Sequence, residues 1–187
     1  KRRIEATVSF REAKPEELAA KRSPDTLKIE IADLNQERAD YLAKHPHKLH
    51  ELSPRKFEEL MTDLLKNRGC EVEIQKQTRD GGRDILAAFP SPFGRLLTIV
   101  ECKKYRADRP VGIAIAERFL YVLNDKKDKA SCGLIATTSY FSPEVQALAA
   151  EIPYRLKLRD FEGIRDWIAN YGKWVHEEES SFWIPNA

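Results

Sequence analysis

Residues Asp84 to Lys103 read DILAAFPSPFGRLLTIVECK, two apolar runs on either side of a proline-rich turn, and the fold follows from how these runs pair. Pro90-Ser91-Pro92-Phe93-Gly94 supplies the turn, Ile85 to Phe89 one strand and Leu96 to Lys103 the next. With the fold-back point taken between Pro92 and Phe93, residues equidistant from it oppose one another, and Asp84 faces Glu101. Opposed side chains in an antiparallel pair share a face with Cβ atoms about 5 Å apart, close enough for two carboxylates to hold one divalent cation. Period-two alternation sends Leu97, Ile99, Glu101 and Lys103 to one face and Thr98, Val100 and Cys102 to the other. This register is an assumption, since a slip of one residue would part the two carboxylates.

The neighbouring segments frame this hairpin. Upstream, Ser53-Pro54 is an N-cap followed by proline at the first helical position. Phe57, Leu60, Met61, Leu64 and Leu65 then recur at helical spacing until Gly69. A strand is expected at Val72 to Gln75, and Asp80-Gly81-Gly82-Arg83-Asp84 is a turn whose glycines also suit a close backbone approach. Downstream, a helix is expected over Val111 to Asn124, a buried strand over Cys132 to Thr138 and a helix from Ser142-Pro143 through Ala150. A strand over Tyr154 to Leu158 and a closing helix over Phe161 to Asn170 complete the order. These elements predict an α/β domain with a mixed central sheet flanked by helices on both faces. Ahead of it, alternation at Ile4 to Phe10 and Leu27 to Ile31 predicts two strands, and Asn35 to Lys44 a short helix that His45-Pro46-His47 breaks. The expected organisation is a small α/β extension over residues 1–50, the main domain over 51–172 and a tail over 173–187.

Composition bounds the rest. The chain has 187 residues, 42% hydrophobic and 33% charged, which suits a packed globule and excludes a disordered protein. No run of about 18 apolar residues occurs and Lys1-Arg2-Arg3 leads into no apolar segment, so neither a membrane span nor a signal peptide is expected, and a cytoplasmic location is. Cys70, Cys102 and Cys132, odd in number and without a C-x-x-C, predict free thiols. The sole methionine is Met61 and the chain opens at Lys1, so a fragment of a longer protein with further domains is expected. The net charge of +2 announces no nucleic-acid binder. Between Arg95 and Arg109, however, five basic residues stand against two acidic ones.

Two carboxylates and a lysine at a strand end suit phosphodiester hydrolysis. Hard oxygen ligands hold Mg²⁺, which keeps waters and binds a phosphate oxygen, and Lys103 adds a positive charge that can orient the attacking water or neutralise the phosphate. Glu58, beside the apolar stripe of the preceding helix, is a further candidate ligand, with Glu59 its competitor.

The ordered set Phe57-Glu58-Glu59-Leu60, Arg79-Asp80-Gly81-Gly82-Arg83-Asp84-Ile85, Val100-Glu101-Cys102-Lys103 and Leu134-Ile135-Ala136-Thr137-Thr138-Ser139-Tyr140-Phe141 resembles the catalytic domain of Mrr-type restriction endonucleases, within the PD-(D/E)xK nuclease superfamily. The resemblance spans residues 50–170. It implies a restriction-endonuclease-like fold and Mg²⁺-dependent DNA cleavage, with Mn²⁺ as an alternative ion. By position, Asp84 matches the metal-binding aspartate, Glu101 the second acidic ligand, Lys103 the catalytic lysine and Glu58 the helix glutamate. Many relatives carry glutamine where this chain has Glu101. Residues 1–50 show no complete winged-helix pattern, which leaves site-specific restriction by this chain alone unsupported.

Three functions follow: a DNA endonuclease of a restriction or defence protein, a non-cleaving module of the same fold that grips nucleic acid, and a protein-docking scaffold, for instance for an ATPase. Lys104, Arg106 and Arg109, with Arg83 and Arg118, are the expected DNA contacts, and their affinity would fall steeply with salt. The D…E-x-K set favours the first function, and cutting both strands takes two active sites or two events, which makes a homodimer an expectation. His45, His47 and His50 read as solvated loop residues because no cysteine or carboxylate completes a zinc set. Cys102 reads as inert. Thr137-Thr138-Ser139 reads equally as a phosphate contact or as a strand entering a turn, and Trp167, Trp174 and Trp183 with Tyr171 read as packing.

Overall fold

The computed structural model describes residues 34–74, 84–91, 94–124 and 130–173, all within one unit, Ile31–Ala187. The strands expected at 4–10 and 27–31, the turn at 80–83 with Arg83, and Trp174 and Trp183 of the tail lie outside the described residues.

Helix α1 (Gln36–Lys44) is capped by Asn35, whose side chain accepts from Arg38 N–H. A short 3-10 helix (Pro46–Glu51) then begins at the proline that forbids continuation. Helix α2 (Pro54–Asn67) starts as its cap dictates: the Ser53 side chain accepts from Lys56 N–H, and Phe57, Leu60, Met61, Leu64 and Leu65 are buried along one stripe. Strands β1 (Glu71–Ile74), β2 (Ile85–Ser91) and β3 (Gly94–Lys103) follow. Then come α3 (Ile113–Asn124), β4 (Cys132–Thr137), α4 (Pro143–Glu151), β5 (Leu156–Arg159) and α5 (Phe161–Ala169).

The sheet order is β1-β2-β3-β4-β5. The first three strands pair antiparallel, and β3, β4 and β5 run parallel, giving the expected mixed sheet. The hairpin ladder runs from Ser91 opposite Gly94 to Ile85 opposite Val100, so the fold-back point is the one read from the sequence. Pairing reaches two residues further into the turn than expected, and Gly94 adopts φ 112°, a conformation open to glycine.

One face of the sheet packs Ile99, Ile135 and Leu156 against Ala116, Phe119 and Leu123 of α3 and Val145 of α4. Helix α2 packs against β1, β2 and β3. Trp167 of α5 is buried between two arginines, with Arg68 4.0 Å and Arg159 5.0 Å from its ring centre. Residues 34–51 join the same packing. Leu34, Leu42 and Leu49 are buried, Leu34 N–H donates to Asp63 Oδ2 at 2.8 Å, and Tyr171 Oη donates to the Leu34 carbonyl at 2.7 Å.

Helix α3 begins two residues later than its apolar run. Val111 N–H is already committed to the Tyr140 carbonyl at 2.9 Å, and the Val111 carbonyl accepts Ser142 N–H at 3.0 Å, a bridge to Phe141 that holds this segment extended.

Candidate active site

Because β3, β4 and β5 are parallel, their C-terminal ends gather at one edge of the sheet, where open α/β sheets bind ligands. The antiparallel β2 starts at the same edge, so Asp84 meets Glu101 and Lys103 there.

Glu101 is fully buried, yet it carries two cations on one oxygen. Lys103 Nζ lies 2.5 Å from Oε1, and Arg118 Nη2, on α3, donates to the same Oε1 at 3.2 Å. Its other oxygen, Oε2, is buried without a hydrogen-bond partner. A buried, half-satisfied carboxylate is costly unless a positive group completes it.

Asp84 departs in one respect from the expected pairing. The regular ladder ends at Ile85, and Asp84 N–H donates to the Val100 carbonyl at 3.1 Å rather than pairing with Glu101. Its Oδ2 instead accepts Cys102 N–H at 2.6 Å, a side-chain oxygen doing what a strand carbonyl would do. This bond ties the carboxylate to the strand that carries Glu101 and Lys103. Burial raises the Asp84 pKa, and nearby Glu101 adds to the rise, while the Cys102 N–H and Lys103 act against it.

Glu58 on α2 is nearly buried, and Arg55 Nη1 donates to its Oε2 at 3.0 Å. Burial raises its pKa, opposed by the Arg55 hydrogen bond and reinforced by Asp84, so Glu58 lies within electrostatic reach of the strand-end set. Glu59 pairs instead with Lys56 at 2.8 Å. Among the described residues, no three Asp, Glu, His or Cys side chains converge as a ready cage for a metal. Asp84 and Glu101 are the residues that would hold a divalent ion such as Mg²⁺, which is commonly bound by one or two carboxylates, its own waters and substrate phosphate. The orphaned Oε2 of Glu101 is the atom such an ion would complete. Cys102 stays a protonated thiol, since burial pushes it well above its ordinary value.

The loop after β3 carries the basic residues. Arg106 and Arg109 are exposed and Lys104 half-buried. The Arg109 guanidinium lies 4.4 Å above the Tyr105 ring, and Arg106 pairs at the surface with Asp108. The three hydroxyls Thr137, Thr138 and Ser139 are buried and anchor this loop. Thr137 Oγ1 donates to the Lys103 carbonyl at 2.8 Å. Thr138 Oγ1 accepts Tyr105 N–H at 2.9 Å and donates to the Tyr105 carbonyl at 2.7 Å. Ser139 Oγ donates to the Arg109 carbonyl at 2.5 Å. The sequence leaves them open between a phosphate contact and a turn, and the run of three hydroxyls at a strand end is the one local signal of this clamp.

Arg118, expected from sequence to contact DNA, bonds instead to buried Glu101. No local pattern links a helix arginine to a strand 17 residues upstream. The rings of His45 and His47 meet edge to face with centres 6.0 Å apart. His45 and His47 are exposed, whereas His50 stacks on Phe161 with ring centres 4.8 Å apart.

The family model described as a restriction endonuclease, the Mrr catalytic domain, matches residues 49–168. The chain belongs to this family. A curated relative, the uncharacterized protein y4cE of Sinorhizobium fredii, is 26% identical over 160 residues, which is 85% of this chain and 39% of that protein. Two solved structures share the fold of this Mrr-type domain. The DNA modification-dependent restriction endonuclease AspBHI aligns with a TM-score of 0.56 at 17% identity, over 81% of this chain and 40% of its own. The MspJI restriction endonuclease, solved with a 27-mer oligonucleotide, aligns at 0.51 and 16%, over 81% and 38%. The chain thus spans about two-fifths of the length of each of these proteins. No helix among the described residues is long and apolar enough to cross a membrane.

Proposed function

We propose that this Mrr-type domain is a divalent-cation-dependent DNA endonuclease, with Mg²⁺ the expected ion and Mn²⁺ able to replace it. The observation that carries the reading is Glu101: fully buried, one oxygen held by Lys103 and Arg118, the other without a partner. Asp84 and Glu101 hold the cation. When bound, that ion supplies Lewis-acid stabilisation of the charge that develops on the phosphate.

The chain's own residues do the rest. Lys103, ion-paired to Glu101, presents an ammonium group at the strand end, where it orients the attacking water or offsets phosphate charge. Cys102 N–H fixes Asp84 through its Oδ2. The Thr137 to Ser139 hydroxyls hold the Lys104 to Arg109 loop in place, so that Arg106 and Arg109 can grip the DNA backbone. DNA as the substrate draws on the family and on MspJI, whose structure contains an oligonucleotide. A role in restriction or defence, further domains or an ATPase partner, and action as a homodimer complete the proposal. Further domains fit a chain that covers about two-fifths of the length of its relatives.

The test is plasmid cleavage with Mg²⁺ or Mn²⁺, with a chelator and Asp84→Ala as controls. Metal-dependent nicking or linearisation that the substitution abolishes is the expected result. Salt-sensitive DNA binding without cleavage would move the assignment to a non-cutting nucleic-acid module.

A further inference from the structure

The position of Arg118 raises a question that the D…E-x-K set leaves open. Its guanidinium side chain is 57% exposed, while the carboxylate it contacts is fully buried. A buried carboxylate is costly to leave without a cation, and Lys103 alone would meet that need, so folding does not require a second cation on the same oxygen. Lys103 already provides Oε1 with a cation at 2.5 Å. Arg118 therefore adds a second positive charge to an oxygen that has one, and none reaches Oε2.

Charge counting shows the consequence. Asp84 and Glu101 bring two negative charges and Lys103 one positive charge, so without Arg118 the strand end would carry one net negative charge. With Arg118 it is neutral. Glu58 does not alter this balance, because Arg55 pairs with it. A cation approaching Oε2 meets a neutral site rather than an anionic one. The exposed guanidinium is also free to turn towards solvent or a phosphate, since only one hydrogen bond ties it to Glu101.

We infer that Arg118 is a positioning residue that sets the affinity of the Asp84–Glu101 pair for a divalent cation. By occupying Oε1 together with Lys103, it leaves Oε2 as the coordinating atom and neutralises the charge that an incoming cation meets. The inference rests on the metal-holding role proposed above. It differs from the DNA-contact role expected of Arg118 from sequence, because its effect is present without DNA.

The experiment is Mn²⁺ binding to the full 187-residue chain without DNA, followed by electron paramagnetic resonance of the free ion. Wild type is compared with Arg118→Gln, Arg118→Lys and Asp84→Ala, with circular dichroism verifying the fold of each. Removing one positive charge beside a divalent ion is expected to tighten Mn²⁺ binding at least about tenfold in Arg118→Gln. Arg118→Lys, which keeps the charge, should stay within about threefold of wild type. Unchanged or weaker binding in Arg118→Gln would overturn the inference, because a residue that only orients or braces Glu101 weakens the site when removed. If wild type binds Mn²⁺ no better than Asp84→Ala, the metal-holding reading itself fails, and this inference with it. If Asp84→Ala loses the ion while Arg118→Gln equals wild type, only the role of Arg118 is lost.

Discussion

A methyl group added at Gly133 would test the packing that places α3, and with it Arg118, over the sheet. Gly133 is buried in β4. A Cβ built there would lie 2.4 Å from Phe119 Cε1, 2.7 Å from Phe119 Cζ and 3.2 Å from Leu123 Cδ2. Carbon atoms pack best about 3.5–4.0 Å apart, so the ring must retreat by about 1 Å. Phe119 is fully buried and has no solvent to turn into, so the helix must move with it. Overpacking of this kind costs about 1–3 kcal/mol. The stiffer unfolded chain of Gly→Ala offsets about 0.4–1 kcal/mol of that. Gly133→Ala should therefore lose about 1–2 kcal/mol and lower Tm by about 2–8 °C for a domain of this size. Thermal melts followed by circular dichroism measure the loss. In a Phe119→Leu background, which opens room for the methyl group, the penalty should fall by at least half, a coupling that a double-mutant cycle reads directly. Equal stability of Gly133→Ala and wild type, or the same penalty in both backgrounds, would refute the packing argument. Arg118 immediately precedes Phe119, so the same displacement lengthens its contact with Glu101.

Asp84→Asn should raise thermal stability at pH 7 while abolishing cleavage. Burial raises the folded-state pKa of Asp84 above its unfolded value, so the folded chain binds the extra proton between the two, and stability falls as pH rises through that window. The stabilisation by asparagine should accordingly vanish below the ordinary carboxylate range, and melts from pH 3 to 8 would refute the point if the gain were the same throughout. Thr138→Val removes a hydroxyl that serves both Tyr105 N–H and the Tyr105 carbonyl. It should cost about 1–3 kcal/mol and weaken DNA binding by loosening the Arg106 and Arg109 loop; a fluorescence anisotropy titration with unchanged affinity would contradict that link. Saturating Mn²⁺, at about 100 times its Kd, should stabilise the wild type by about 2.7 kcal/mol. A melt of Glu101→Ala showing the same gain would exclude Glu101 as a ligand.

Which residues make strands and helices was legible because the signals are local. Ser53-Pro54 ahead of a helical stripe, and two apolar runs around a proline-rich turn, define α2 and the β2–β3 hairpin from a few consecutive side chains. The hairpin register had to be assumed from the sequence, since a slip of one residue costs nothing locally, and the pairing of Ser91 with Gly94 through Ile85 with Val100 fixes it. Signals that needed a partner from elsewhere were weaker. The α3 start was misplaced by two residues because Val111 answers to Tyr140 and Ser142 rather than to its own run.

The sequence by itself determined the mixed α/β fold, the family pattern and the approach of Asp84, Glu101 and Lys103 to one end of one hairpin. The elements follow from chain-local spacing and alternation, the family pattern from the resemblance of four ordered motifs, and the approach of the three side chains from the assumed fold-back point of the hairpin. Tertiary structure decided what surrounds them: that Asp84 leaves the ladder to accept Cys102 N–H, that the hydroxyls of Thr137, Thr138 and Ser139 at the end of β4 hold the basic loop, and that Arg118 reaches Glu101 from the helix above. The reason is physical. Burial, and the charge a buried carboxylate needs, are set by which distant elements pack over it, and no local pattern in the chain encodes that packing.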